Sequence, residues 1–140
     1  MKKLLFTLLA FLSISVAVNK VSAQSGAKIE FAKETHDYGK IKNGADPYCS
    51  FEFKNTGDAP LIISDAKGSC GCTVPEWPKE PIAPGAKATI KVRYDTKREG
   101  VISKNVTIMS NAVNAPEKVI YITGEVIGAP APDPVEPAKN

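Results

Sequence analysis

From Lys28 onward, apolar and polar residues alternate in short runs separated by turn-forming residues, and no stretch carries the period of an amphipathic helix. The chain is therefore expected to be all-β. A first strand is predicted near Lys28 to Ala32, with Ile29 and Phe31 on one face, and Thr35 to Ile41 continues it after a short break. Asn43-Gly44 marks a turn. In Tyr48 to Lys54, Cys49, Phe51 and Phe53 share one face while Ser50, Glu52 and Lys54 share the other, which places Cys49 in the core. After the turn Asn55 to Pro60, Leu61-Ile62-Ile63 opens a strand that reaches about Ala66.

Ala86 to Asp95 is the clearest strand, with Ala88, Ile90, Val92 and Tyr94 facing inward. Val101 to Ser110 follows a charged turn and carries Ile102, Val106 and Ile108 on one face, interrupted by Lys104. Val119 to Val126 is apolar on both faces, the pattern of a central strand covered on both sides or partly at an edge contact. About seven short strands at such intervals imply an immunoglobulin-like antiparallel β-sandwich. The antibody-type pairing is missing, because no late strand carries a partner for Cys49 and the single tryptophan lies in a loop.

The ends of the chain differ from this pattern. Met1-Lys2-Lys3 is basic, Leu4 to Val18 is largely apolar, and Val21-Ser22-Ala23 offers small residues for cleavage, so residues 1–23 are expected to be a signal peptide. The apolar run is shorter than the roughly 18 to 20 residues of a spanning helix, and Gln24-Ser25 after the cut leaves no cysteine for a lipid anchor. The expected product is a periplasmic or secreted domain, 24–127, with no membrane span, and a disordered Pro-rich tail, 128–140. Loss of Lys2, Lys3 and Lys20 leaves 15 basic and 15 acidic side chains. A chain so balanced has no field to hold a phosphate backbone, which argues against nucleic acid and anionic membrane surfaces as partners.

One stretch stands outside the strands: Ser69-Cys70-Gly71-Cys72-Thr73, followed by the proline-rich loop that holds Trp77 and ends at Pro84-Gly85. On an extended backbone Cys70 and Cys72 would lie on one face about 6.6 Å apart. Four readings of the pair stand open. It could hold a soft metal such as copper(I) or zinc, with Gly71 letting the chain curl, although two sulfurs are an incomplete zinc site. A second reading is a redox disulfide near the upper limit of Cα separation, and a third joins one of the two to Cys49. In the fourth, both are structural residues at a tight strand-to-loop transition, with Gly71 in an unusual dihedral. Trp77, flanked by Pro75 and Pro78, fits either an aromatic pressed onto the sandwich or a binding platform.

Catalytic constellations are not evident. The single histidine, His36, is distant in sequence from the cysteine pair, and Glu76 and Glu80 fit solvated loop charges better than an acid/base pair. No enzyme activity and no cofactor are expected. Tyr38-Gly39-Lys40-Ile41, Phe53-Lys54-Asn55-Thr56-Gly57, Pro60-Leu61-Ile62-Ile63, Ser69-Cys70-Gly71-Cys72-Thr73, Ile82-Ala83-Pro84-Gly85 and Gly124-Glu125-Val126 together resemble the bacterial domain-of-unknown-function family numbered 1573, from about Ile29 to Val126. The resemblance implies an immunoglobulin-like sandwich, related to domains of ciliary and sperm-protein families, in exported proteins of unestablished role. The positions it carries over are Cys70, Gly71, Cys72 and the loop with Trp77, while Cys49 departs from the family pattern. The combined expectation is a non-enzymatic structural or interaction module whose partners are other exported proteins or cell-envelope components. The alternative is a thiol-based redox or soft-metal protein.

Overall fold

A computed structural model describes residues 25–128. The expected signal peptide, 1–23, and nearly all of the expected tail, 128–140, lie outside these residues. Among the described residues there are eight strands and no helix: β1 (Ile29–Phe31), β2 (Thr35–Lys42), β3 (Tyr48–Asn55), β4 (Ile63–Gly68), β5 (Thr73–Glu76), β6 (Lys87–Tyr94), β7 (Gly100–Ser110) and β8 (Glu117–Ile127). They form two four-stranded sheets, ordered β1-β3-β6-β5 and β2-β8-β7-β4. No helix of the described residues is long and apolar enough to cross a membrane.

The alternation in the sequence dictates the packing. Cys49, Phe51 and Phe53 of β3 and Ile90, Val92 and Tyr94 of β6 point inward from one sheet and are buried. They meet Ile102, Val106 and Ile108 of β7 and Ile120, Ile122 and Val126 of β8 from the other. Each such side chain taken fully out of water stabilises the fold by about 1.5–3 kcal/mol. The two inner faces therefore supply the cohesion, and the loops need only connect them.

The structure corrects the strand reading in four places. There are eight strands, because the cysteine stretch contains the short strand β5, paired antiparallel with β6. The sandwich is also not wholly antiparallel: β1 pairs with β3, but the chain crosses at residues 32–34 so that β2 runs parallel to β8 in the opposite sheet. The fourth strand begins at Ile63, and Leu61 instead makes an isolated bridge to Ile82. Finally, β8 is central in its sheet, yet its outer face is uncovered, with Tyr121 exposed.

At one end of the sandwich a buried polar residue fixes the loops. Asn55 is 0 % exposed and its side chain is fully bonded. Its Oδ1 accepts from the backbone N–H of Gly57 at 3.0 Å and of Lys28 at 3.3 Å, while its Nδ2 donates to the carbonyls of Ala59 at 2.8 Å and Ile82 at 2.9 Å. Three chain segments are tied by one amide, which is how a buried polar group becomes stabilising rather than costly. Nearby, Pro84-Gly85 forms the corner of a turn in which Ala86 N–H donates to Ala83 C=O, with Gly85 at φ 79°. Proline followed by a positive-φ glycine is the combination a type II turn requires.

Candidate functional site

The cysteine stretch is the crossover from β4, an edge strand of one sheet, to β5, an edge strand of the other. Gly68 ends β4 so close to the start of β5 that a Cβ there would run into the carbonyl oxygen of Thr73. Ser69 then binds β7 from both sides of its peptide: its N–H donates to Asn105 C=O at 2.9 Å, and its Oγ accepts from Asn105 N–H at 3.2 Å. A turn follows, closed by Thr73 N–H donating to Cys70 C=O at 3.2 Å, and Cys72 C=O accepts from Asp95 N–H at 2.9 Å. Both flanks of the turn are thus anchored, one to β7 and one to the β6–β7 loop.

Within that turn Cys70 and Cys72 are joined by a disulfide, with their Cα atoms 5.2 Å apart. The turn brings the two closer than the extended spacing expected from sequence, and the separation falls inside the usual range for a disulfide rather than at its upper limit. Thr73 Oγ1 lies 3.7 Å from each sulfur. A bonded sulfur carries no hydrogen, so the threonine hydroxyl is the donor, its single hydrogen shared between the two. Thr73 itself is buried, Cys72 is buried at 8 % exposure, and Cys70 is half-buried.

Gly71 does not play the part expected of it. Its φ is not in the positive region, and a Cβ would meet nothing within 4 Å. Neither backbone conformation nor crowding by residues beyond its two chain neighbours requires glycine there. A shallow open groove of about 460 Å3 runs beside the disulfide, bounded by Ala66, Lys67, Ser69, Cys70, Val74 and Pro75.

The soft-metal reading needs free thiolates, and the bonded sulfurs offer none. Among the described residues, no three His, Cys, Asp or Glu side chains are grouped to hold a metal ion. The reading that joined Cys49 to the pair is corrected: Cys49 is free and buried. It lies on β3, and β6 stands between β3 and β5, so register keeps it apart from the crossover.

Cys49 instead meets Tyr38, which the sequence reading did not single out. The Tyr38 hydroxyl donates to Pro47 C=O at 2.9 Å, and it also pairs with the Cys49 thiol. Burial, reinforced by Cys49, drives the phenol far above its usual range. Burial likewise raises the Cys49 thiol, partly offset by the Tyr38 hydrogen bond. A protonated thiol is a poor nucleophile, so Cys49 is a core residue. His36 packs edge-on against Tyr38, ring centroids 4.7 Å apart, and two strands of its sheet separate it from β4. The cysteine pair therefore has no histidine base.

Trp77 is half-buried just beyond the C-terminal end of β5, so the whole strand separates it from the disulfide. The Lys79 ammonium lies 3.2 Å from the centre of its ring. A cation over the ring face occupies the surface that a stacking ligand would use. Glu76 and Glu80 are both exposed, as solvated loop charges would be. Asn55 is the other residue the sequence reading passed over, as part of a turn.

The family described as "Protein of unknown function (DUF1573)" matches residues 29–126. No curated protein matches the chain. Among solved structures, a protein of unknown function from Porphyromonas gingivalis is similar with TM-score 0.65 and 18 % identity, over 79 % of this chain and 51 % of that one. The chain thus spans about half the length of that protein. The ASH/PapD-like domain 7 of human CEP192 is similar with TM-score 0.61 and 11 % identity, over 85 % of this chain and 99 % of that domain. The periplasmic chaperone SfaE is similar with TM-score 0.52 and 10 % identity, over 74 % and 59 % of the two chains. At these identities the likenesses show the fold alone, an immunoglobulin-like sandwich.

Proposed function

The chain belongs to the DUF1573 family, and we propose that it is an exported, non-enzymatic module that binds other exported proteins or cell-envelope components along the β4 edge. The observation that carries this is the exposed edge of β4, which pairs only with β7 and borders the open groove beside the crossover. An unpaired edge offers a row of backbone donors and acceptors to an incoming extended segment, and a flanking groove can take its side chains. The neighbouring edge, β5, is blunted by Pro75, which has no N–H to offer. Export rests on the basic, apolar and small-residue succession of residues 1–23, with cleavage after Ala23.

The test is site-specific photocrosslinking in the living cell. A photoreactive side chain placed at Ser64 or Lys67 on β4 is expected to form discrete adducts with envelope proteins, and one at Lys40 on the remote edge strand β2 is expected not to. The mature protein should begin at Gln24. Equal adducts at all three positions, or an unprocessed cytoplasmic product, would overturn the proposal.

A further inference from the structure

We infer that the Cys70–Cys72 disulfide is a thiol-exchange site, attacked at Cys70, for a dithiol borne on the extended segment that docks at β4. The inference rests on the edge-binding reading for its partner, but the chemistry stands on the crossover itself. The two sulfurs are unequal. Cys70 is half-buried and borders the groove, while Cys72 is buried at 8 % exposure and does not line it. An incoming thiolate therefore reaches Cys70 first. Gly71 lines the same open groove as Cys70, and no atom beyond its two chain neighbours lies within 4 Å of the place a Cβ would take. Lys67 supplies a cation to the same groove, which favours the thiolate form of an approaching thiol.

The leaving sulfur is also provided for. Thr73 Oγ1 stands 3.7 Å from Cys72 Sγ and can donate to the thiolate as it forms. Ser69 and Cys72 hold the turn to β7 and to Asp95 by backbone bonds that do not involve the sulfurs, so the crossover keeps its shape when the S–S bond opens. Exposure is the general property that separates exchangeable disulfides from inert ones.

In the first step the partner thiolate attacks Cys70 Sγ. The Cys70–Cys72 bond breaks, its electron pair leaves on Cys72 Sγ, and a mixed disulfide joins the partner to Cys70. The partner's second thiolate then attacks the partner sulfur of that mixed disulfide and expels Cys70 as a thiolate. The partner dithiol has lost two electrons and two protons and become a disulfide; Cys70 and Cys72 have gained the electrons and take up two protons from solvent. One chain oxidises one dithiol and releases it as a disulfide, so the step is a stoichiometric oxidation that needs no further oxidant.

The test uses the purified full mature chain and its Cys70→Ser and Cys72→Ser variants, with circular dichroism to establish folding. Oxidised glutathione is added to each variant, and acid-quenched samples are read by intact mass. Cys72→Ser is expected to form a glutathione adduct at Cys70 at least about tenfold faster than Cys70→Ser forms one at Cys72, given that reactivity follows exposure. Reduced glutathione should open the wild-type pair while the protein stays folded. Equal adduct rates in the two variants, or a wild-type pair that opens only at the rate of global unfolding, would overturn the inference.

A dithiol peptide of extended sequence separates the two proposals. Faster opening by the peptide than by glutathione, lost when Ala66→Pro disrupts the β4 edge, supports both. Opening at equal rates by peptide and glutathione would contradict docking at β4 while leaving the exchange chemistry of Cys70 standing.

Discussion

The molecule holds its cysteines in two opposite settings. Cys49 sits at 5 % exposure on the inner face of β3, its thiol paired with the Tyr38 hydroxyl and pushed above its ordinary value by burial. Cys70 and Cys72 sit where the chain leaves one sheet for the other, bonded to each other beside an open groove. The same side chain is inert in one place and exposed to chemistry in the other. The difference comes from strand register: alternation on a long paired strand forces Cys49 inward, whereas a short turn between two edge strands lets one sulfur face out.

Placing a charge at Cys49 tests this contrast with the largest effect. Cys49→Asp buries a carboxylate among apolar side chains and is expected to cost about 3 kcal/mol or more in denaturant unfolding, given the usual penalty for an unpaired buried charge. A loss below about 1 kcal/mol would mean that water reaches Cys49. Gly68→Ala is next, because the new methyl must displace the Thr73 backbone; a loss of about 1–3 kcal/mol is expected from such overpacking. It would show that an exposed crossover can still be rigidly placed.

A pH series gives a smaller signal. Because the folded Cys49 thiol holds its proton to higher pH than the unfolded one, unfolding releases a proton above the ordinary thiol value of 9.0. The stability contributed by Cys49 is complete below that pH and falls as pH rises. In thermal unfolding the melting temperature should decline from about pH 9, and Cys49→Ala should move the onset upward toward the range set by Tyr38. An onset unchanged in Cys49→Ala would mean that another group governs it. The smallest effect belongs to Gly71→Ala, expected to change stability by less than about 0.5 kcal/mol because nothing near it is crowded. A larger loss would mean that the turn needs glycine after all.

How much of this was legible follows from which forces act locally. The inward faces of Tyr48–Asn55 and Lys87–Tyr94 were readable because period-two alternation over eight residues has one structural meaning. Strand β5 was not, since four residues containing a proline give no alternation and its pairing to β6 is set by tertiary contact. The parallel pairing of β2 with β8 was hidden for a related reason: a chain that changes sheets at residues 32–34 leaves no mark in local hydrophobicity. Asn55 lay inside a recognisable turn, yet its four bonds go to segments up to 27 residues away, and no neighbouring residue advertises them.

At the crossover the spacing drew attention to Cys70 and Cys72, but the role assigned to Gly71 rested on the assumption that a tight turn forces an unusual dihedral. The turn here closes through Thr73 N–H and Cys70 C=O without one. Tyr38 lay in a motif that carried the family resemblance, but nothing local pointed to its role. Its partners, Pro47 and Cys49, become neighbours only when β2 packs across to β3.

The contrast between the two settings is tested most directly by counting alkylated thiols by intact mass in three states of the mature protein. In the native oxidised state the account predicts no adduct, because Cys49 is buried and the other two are bonded. Under mild reductant, still folded, an adduct should appear first at Cys70 and about tenfold more slowly at Cys72; unfolding with reductant should bring the third, at Cys49. Two adducts without reductant, or labelling of Cys49 in the folded protein, would contradict it.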